Sequence, residues 1–515
     1  MKPGRFSGAV ARRGPRGKGH YHSRSGASIL TRNRPEPGKW SIALRLADIA
    51  DDLTRSAEAR LDAARSALFE PVIRLGVTGL ARAGKTVFIT SLVSNLTDRG
   101  RMPGLRAEAG GRIEAVWLRP QPDMTVPRFD YETHRAALTA DDPHWPGSTR
   151  SVSELRLSFR LRPGGLRGLT GARRLHLDIV DYPGEWLLDL GLMGRSYRNW
   201  AEETLARIGA MAGDAAAGAF LTAARETDPA APLDESRAQA LAAAYTEWLA
   251  EARAAGVSRL TPGRFLLPGD LAGSPVLTFA PLPRPGATPR GSLWREMERR
   301  YDAYRAEVVR PFFRDHFARI DRQVVLVDVL GALERGPQAF EDMRATLADL
   351  LTAFRPGRGG PLAALLGGRR VGRILFAATR ADHLHHSQHP RLAALLAALL
   401  REAKDRADYA GAGTAAMAIA SLRATTEAQA NVGGQEMGAV RGRLTDGRQV
   451  VSHPGELPAD PARLLGAARA GAADWPGGAF AAVDFAPARI TLRPGEGLPH
   501  IGLDRAAEFL IGDRL

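Results

Sequence analysis

The 515-residue chain contains no cysteine, which excludes disulfides, thiolate metal sites and a catalytic thiol. Lysine is almost as scarce: five residues against 66 arginines, three of the five within the first 40 positions. Long apolar runs are also missing. The longest, LAALLAALL at 392–400, has nine residues, and a membrane-spanning helix needs about 20. No apolar stretch follows the basic N-terminus as it would in a secretory signal. These absences predict a soluble, cytoplasmic protein. What is present is ordinary for a globular chain, with 44% hydrophobic and 25% charged residues. Wholesale disorder, a collagen-like chain and a plain coiled coil are therefore excluded. The length allows two to four domains, or one core with large insertions.

The formal charge of +15 is unevenly placed. Residues 1–40 hold ten Lys/Arg against the single acid Glu36, so this tail carries +9 and the other 475 residues only +6. Rich in Gly, Arg, Ser and Pro, the tail lacks the apolar content to offset its ordering entropy and is expected to be disordered. Its charge suits an anionic membrane surface, and no sequence-specific nucleic-acid contact is expected. Over 41–70, apolar residues recur every three or four positions from Ile42 to Leu68, the pattern of an N-terminal helix.

The period then changes. VIRLGVTG (72–79) reads as a buried strand ending in glycine, and a helical stretch follows from Lys85 to Leu96. Strand, glycine-rich turn, helix opens an α/β unit with a mostly parallel sheet flanked by helices. Further buried strands are expected at 155–161, 175–180, 324–330, 373–379 and 415–422, with a short strand-like run at 112–120. The stripe Leu293, Met297, Tyr301, Tyr304, Val308 reads as a helix ended by Pro311. The chain divides accordingly: a basic tail (1–40), an N-terminal helix (41–70), the first part of the core (71–191, with an insertion at 100–150), a large helical insertion (192–320), and the second part of the core with closing elements (321–515). The last stretch, IGLDRAAEFLIG (501–512), reads as an amphipathic helix.

GLARAGKT (79–86) carries the most specific chemistry. It fits the phosphate loop G-x-x-x-x-G-K-[ST] in its required context of strand before and helix after. Gly79 and Gly84 let the backbone fold around phosphate oxygens. The main chain of Ala81, Arg82, Ala83, Gly84, Lys85, Thr86 and Val87 lies along the loop and the helix start, where the helix dipole adds positive charge. Lys85 offers a point charge to the β- and γ-phosphates, and Thr86 a hydroxyl to Mg²⁺.

LDIVDYPG (177–184) is an apolar strand ending in D-x-x-G. Asp181 is placed to orient the Mg²⁺ shell, and the Gly184 N–H to register the γ-phosphate. A Thr is needed on the metal from the loop before the second strand. Thr149 is the candidate, with Ser151 and Ser153 as alternatives. FAATRAD (376–382) resembles the base-reading N-K-x-D motif, with Thr379 for Asn and Arg380 for Lys. Its Asp382 can accept from guanine N1–H and the 2-amino group together. Adenine lacks both donors and would leave that carboxylate unpaired, costing about 1–3 kcal/mol. Ser421, Leu422 and Arg423 in ASLRAT (420–425) are the candidates for backbone contact with the base.

The order GLARAGKT, PQPDMTVPRFDYE, WPGSTRSVSELRL, DYPGEW, GPQAF, TRADH, SLRAT and LDRAAEFLIGD resembles the YcjX-like bacterial P-loop GTPases, from about residue 70 to the end and least specifically in the helical insertion. That resemblance implies a Ras-like GTP-binding core, Mg²⁺ dependence and a stress-associated role. It further implies a link to a YcjF-like inner-membrane protein, hence a peripheral place at the inner membrane. The expected activity is slow GTP hydrolysis driving a switch. A nucleotide-binding scaffold with negligible turnover and an ATP-specific P-loop NTPase are the alternatives.

Hydrolysis needs an oriented water and counter-charge. Glu185, directly after D-x-x-G, is the candidate for the first. Arg82, or Arg195 or Arg198 beyond the switch, is the candidate for the second. His383, His385, His386 and His389 cluster after Asp382, but no carboxylate or cysteine pattern in the sequence completes a closed metal site around them.

Overall fold

A computed structural model describes residues 70–79, 83–147, 151–162, 173–211, 213–257, 259–354, 371–409, 413–471, 475, 480, 481 and 483–515. The expected tail, the expected N-terminal helix apart from Glu70, and the candidate site residues Ala81, Arg82 and Thr149 lie outside the described residues.

A seven-stranded sheet forms the frame, in the order β2-β3-β4-β1-β5-β6-β7. Its strands are β1 (Val72–Gly79), β2 (Ile113–Arg119), β3 (Ser153–Leu161), β4 (Arg173–Asp181), β5 (Arg322–Val327), β6 (Arg373–Ala378) and β7 (Gly413–Ala418). β4, β1, β5, β6 and β7 run parallel, while β3 is antiparallel to both β2 and β4. The central strands are buried on both faces, and alternate residues feed two cores. Val324, Leu326, Leu375 and Ala377 face one core with helices α1 (Lys85–Asp98) and, at the C-terminus, Leu503–Ile511. Val325, Val327, Ile374 and Phe376 face the other, which holds the helices between β4 and β5. This two-sided burial makes the strands continuous apolar runs rather than alternating ones.

Between Gly184 and Arg319 the described residues are mostly helical, joined by longer irregular stretches such as 278–292. The helices include α2 (Tyr197–Ala210), α3 (Ala215–Arg225), α4 (Glu235–Ala254) and α5 (Leu293–Ala303). Aromatic rings cement this layer, with Trp200 stacked on Tyr301 at 5.1 Å and Tyr245 on Trp248 at 5.6 Å.

Two expectations are corrected and one element is new. The strand expected to run to residue 330 ends at Val327, because the Asp328 carboxylate accepts from the Gly331 N–H at 3.0 Å and caps a helix over Val329–Glu334. The helix expected to stop at Pro311 continues to Asp315. A π-helical stretch over Tyr304–Val309 loosens the turn ahead of the proline, which then sits in the first turn of Arg310–Asp315. A three-stranded antiparallel sheet was not anticipated: β8 (Thr425–Val432), β9 (Gln435–Arg443) and β10 (Gln449–Ser452). Its signals are present in the sequence. Gly433 and Gly434, both at positive φ, turn β8 into β9, and Gly447 in TDGR turns β9 toward β10.

Candidate functional site

Parallel pairing aligns the carboxyl ends of the strands along one edge. Val77 of β1 lies opposite Asp181 of β4, Gly79 opposite Leu326 of β5, and Val327 opposite Ala378 of β6. The edges meet beside β1, where the strand order runs outward in both directions, the position at which open α/β sheets take ligands.

The phosphate loop is shaped by two glycines for two reasons. Gly84 holds φ 81°, a left-handed conformation that hands the chain into α1. Gly79 is required by crowding, since a Cβ there would lie 2.9 Å from the Leu326 carbonyl oxygen. Ala83 and Thr86 are buried, and Lys85 is half-buried at the first turn of α1. Val87 packs on a small apolar cluster of Leu138, Leu422 and Leu498, which joins the loop helix to the candidate base loop.

Asp181 is buried at the end of β4. Ser153, one of the alternatives to Thr149, lies directly opposite it, and its buried hydroxyl has no hydrogen-bond partner among the described residues. Three residues on, Gly184 approaches the loop so closely that a Cβ would fall 2.4 Å from the Gly79 carbonyl oxygen. The D-x-x-G glycine and the first glycine of the phosphate loop are thus in backbone contact.

Beyond Gly184 the chain is gripped by the helical layer. The Arg253 guanidinium, on α4, donates to Glu185 Oε1 at 2.5 Å, while Glu185 Oε2 is buried with no hydrogen-bond partner among the described residues. Trp186 donates to the Leu267 carbonyl at 3.1 Å and carries the Arg264 guanidinium on its ring at 3.2 Å. Asp189 accepts from the Gly263 N–H at 2.8 Å and the Tyr304 hydroxyl at 2.5 Å. Burial pushes its carboxyl up to about 7 against the relief these donors give. Arg195 and Arg198 are engaged elsewhere, with Glu203 at 3.0 Å and Glu202 at 2.8 Å. Sequence reasoning missed Arg253: it lies 68 residues from Glu185 in an unremarkable amphipathic helix.

At the far end of the edge, Thr379 follows β6 with its N–H on the Val327 carbonyl at 3.0 Å. Arg380 takes a left-handed conformation, φ 63°, and reaches Asp484 at 3.0 Å and Asp328 at 3.7 Å. Asp382 is buried, and burial raises its carboxyl to about 6 despite the Ala424 N–H that it accepts at 2.8 Å. That bond ties the TRAD turn to the loop of Ser421, Leu422 and Arg423. Ser421 and Leu422 are buried there, and the Arg423 N–H is held by the Pro499 carbonyl. Apart from Arg195 and Arg198, the described candidates fall along one edge, in the order D-x-x-G turn, phosphate loop, base turn.

Fold and loop together define the class: a Ras-like P-loop α/β protein with a helical layer between its fourth and fifth strands. The chain belongs to the YcjX-like family, DUF463, which it matches over residues 73–515. It is 39% identical over 457 residues to the Ras-like GTPase YcjX of Escherichia coli K12, covering 86% of this chain and 96% of that one. It is 36% identical over 468 residues to the Ras-like GTPase YcjX of Shewanella oneidensis MR-1, covering 86% and 94%. Among the described residues no helix is long and apolar enough to cross a membrane.

Proposed function

We propose that this chain binds guanine nucleotide with Mg²⁺ and hydrolyses GTP to GDP, as a slow switch. The observation that carries the reading is the convergence on one sheet edge of the Gly79–Thr86 loop, the Asp181–Gly184 turn and the Asp382–Ala424 pair. The names of the two relatives support it.

Thr86 and Asp181 offer hard oxygen donors beside the loop, the chemistry Mg²⁺ prefers. Thr149 would join them, or Ser153, whose buried hydroxyl faces Asp181 across the strands. When bound, the ion supplies counter-charge to the β- and γ-phosphates. Lys85 adds a fixed ammonium and Arg82 a guanidinium, and the Gly184 N–H meets the γ-phosphate.

Glu185 orients the attacking water through Oε2, the buried acceptor that lacks a partner among the described residues. Arg253 holds Oε1 and offsets the charge that would otherwise repel the γ-phosphate. Asp382 reads guanine, with Thr379 and Arg380 shaping the turn and Ser421, Leu422 and Arg423 lining the base. Loss of the γ-phosphate contact at Gly184 would be passed through Glu185, Trp186 and Asp189 to the helical layer. The process served is the stress- or envelope-linked one implied for the family, with the tail of residues 1–40 and a YcjF-like protein as routes to the membrane.

A nucleotide titration with and without Mg²⁺, followed by single-turnover cleavage, tests this. GTP and GDP should bind and ATP should not compete. Equal competition by ATP overturns the base assignment, and tight binding with no cleavage leaves a nucleotide-binding scaffold.

A further inference from the structure

The four histidines after Asp382 part company in the structure. His383 is buried edge-on to Phe485, and burial pushes its imidazole down to about 3. His389 sets Nε2 on the Leu384 carbonyl at 3.2 Å. His385 and His386 instead converge on a carboxylate 41 residues or more away in the chain: Glu427, the third residue of β8.

We propose that His385, His386 and Glu427 form a binding site for a zinc-class divalent cation, distinct from the Mg²⁺ site. His386 Nδ1 lies 2.8 Å and His385 Nε2 3.7 Å from Glu427 Oε2, and the three ligand atoms fall within 4.8 Å of one another. Tetrahedral zinc with bonds of about 2.0–2.1 Å sets its donors about 3.4 Å apart, so these separations straddle the required value. Two imidazoles with one carboxylate select zinc-like ions over Mg²⁺. An ion pair alone needs one imidazole. A second ring, 4.2 Å from the first and aimed at the same oxygen, is what a shared cation explains.

The surroundings prepare the ligands. His385 Nδ1 lies 2.9 Å from the Ser387 hydroxyl, which can accept its proton and leave Nε2 for the metal. A weaker approach of the Ser387 N–H to Nδ1, at 3.4 Å, gives way in that tautomer. The His385 ring rests on Gly438 of β9, where a Cβ would come within 2.6 Å of it. Glu427 Oε1 faces Arg423 at 3.9 Å, which leaves Oε2 for the cation. His386 is exposed, so a fourth position is open to water. Occupancy would brace the turn that follows Asp382 against β8.

The test uses the full chain, freed of metal by chelation. Zn²⁺ is titrated in competition with a chromophoric chelator, and Co²⁺ is followed by its visible absorption. One equivalent of Zn²⁺ should bind, and Co²⁺ should give the bands of a four-coordinate nitrogen–oxygen site. Glu427→Gln and His386→Ala, both on the surface, should lose the bands and weaken Zn²⁺ binding by at least about 10-fold, and Ser387→Ala by about 10-fold. Replacing His20 and His22 of the tail by Ala should change neither. Thermal melts establish that each variant is folded. The proposal is overturned if folded wild-type protein takes up no Zn²⁺, if Glu427→Gln binds as wild type does, or if uptake disappears with His20 and His22.

Discussion

The two ends of the Gly79–Gly184 contact are built on opposite plans. On one side the phosphate loop is made of main chain: a left-handed glycine, a crowded glycine and the first turn of α1, all within eight residues. On the other, the segment from Glu185 to Asp189 is held by side chains and backbone of the helical layer, 68 to 115 residues away. The first plan puts main-chain groups at the site, at Gly84 through backbone conformation alone and at Gly79 through the close approach of β5. The second gives a segment whose position depends on a separate body of structure, which suits a part that must report on the ligand.

The largest effect should come from the local side. Lys85→Ala removes a charge-assisted contact to phosphate and should weaken GDP and GTP binding by about 100-fold in calorimetry. An unchanged affinity would mean that the loop is not the nucleotide site.

Gly184→Ala strikes the contact itself. The added methyl would meet the Gly79 carbonyl at 2.4 Å, with backbone on both sides and no flexible group to yield. A loss of about 1–3 kcal/mol is expected in denaturant unfolding, together with impaired Mg²⁺-dependent GTP binding. By contrast, Gly84→Ala meets no atom within 4 Å, so its cost is that of the left-handed backbone alone.

On the distant side, Glu185→Gln should slow single-turnover hydrolysis by about 10–100-fold and leave GDP affinity nearly unchanged. Arg253→Ala should act in the same direction but less strongly. A double-mutant cycle should then show coupling of about 1 kcal/mol, kept small by the partial exposure of Arg253. Additive variants would break the proposed link.

The smallest effect is one of pH. The Asp382 carboxyl is raised by burial from 3.8 to about 6, so the folded, nucleotide-free protein takes up a proton that the unfolded chain does not. Its contribution to stability is therefore present below about pH 4 and lost as pH rises through about 6. Guanine recognition uses the ionised form, so GDP affinity should fall by up to about tenfold per pH unit below 6. Asp382→Asn should flatten that profile.

Legibility in the sequence follows the same division. β5 and β6 could be read because two-sided burial writes itself as an unbroken apolar run, and the phosphate loop because glycine and a scarce lysine stand at fixed spacing. The end of β5 was misjudged because Val329 and Leu330 are as apolar as a strand requires, and only the cap by Asp328 turns them into a helix. The π-helical turn before Pro311 was hidden because proline's local preference to end a helix is overridden by the packing of Tyr304 and Phe312. The hairpin β8–β9 has a sequence signal in its paired glycines, but its strands, TTEAQANV and QEMGAVRGR, are polar and give none of the apolar runs that mark the core strands.

By itself the sequence determined the elements whose cause is local: the glycine-bound loop, the buried strands, the order of the motifs and the membership they spell out. Only the tertiary structure decided which distant groups share a space: Arg253 with Glu185, Ala424 with Asp382, Glu427 with the paired histidines. Most of the backbone's conformation is set by neighbours in the chain. Ion pairs, buried carboxylates and ligand clusters are governed by distance in space, which no spacing along the chain encodes.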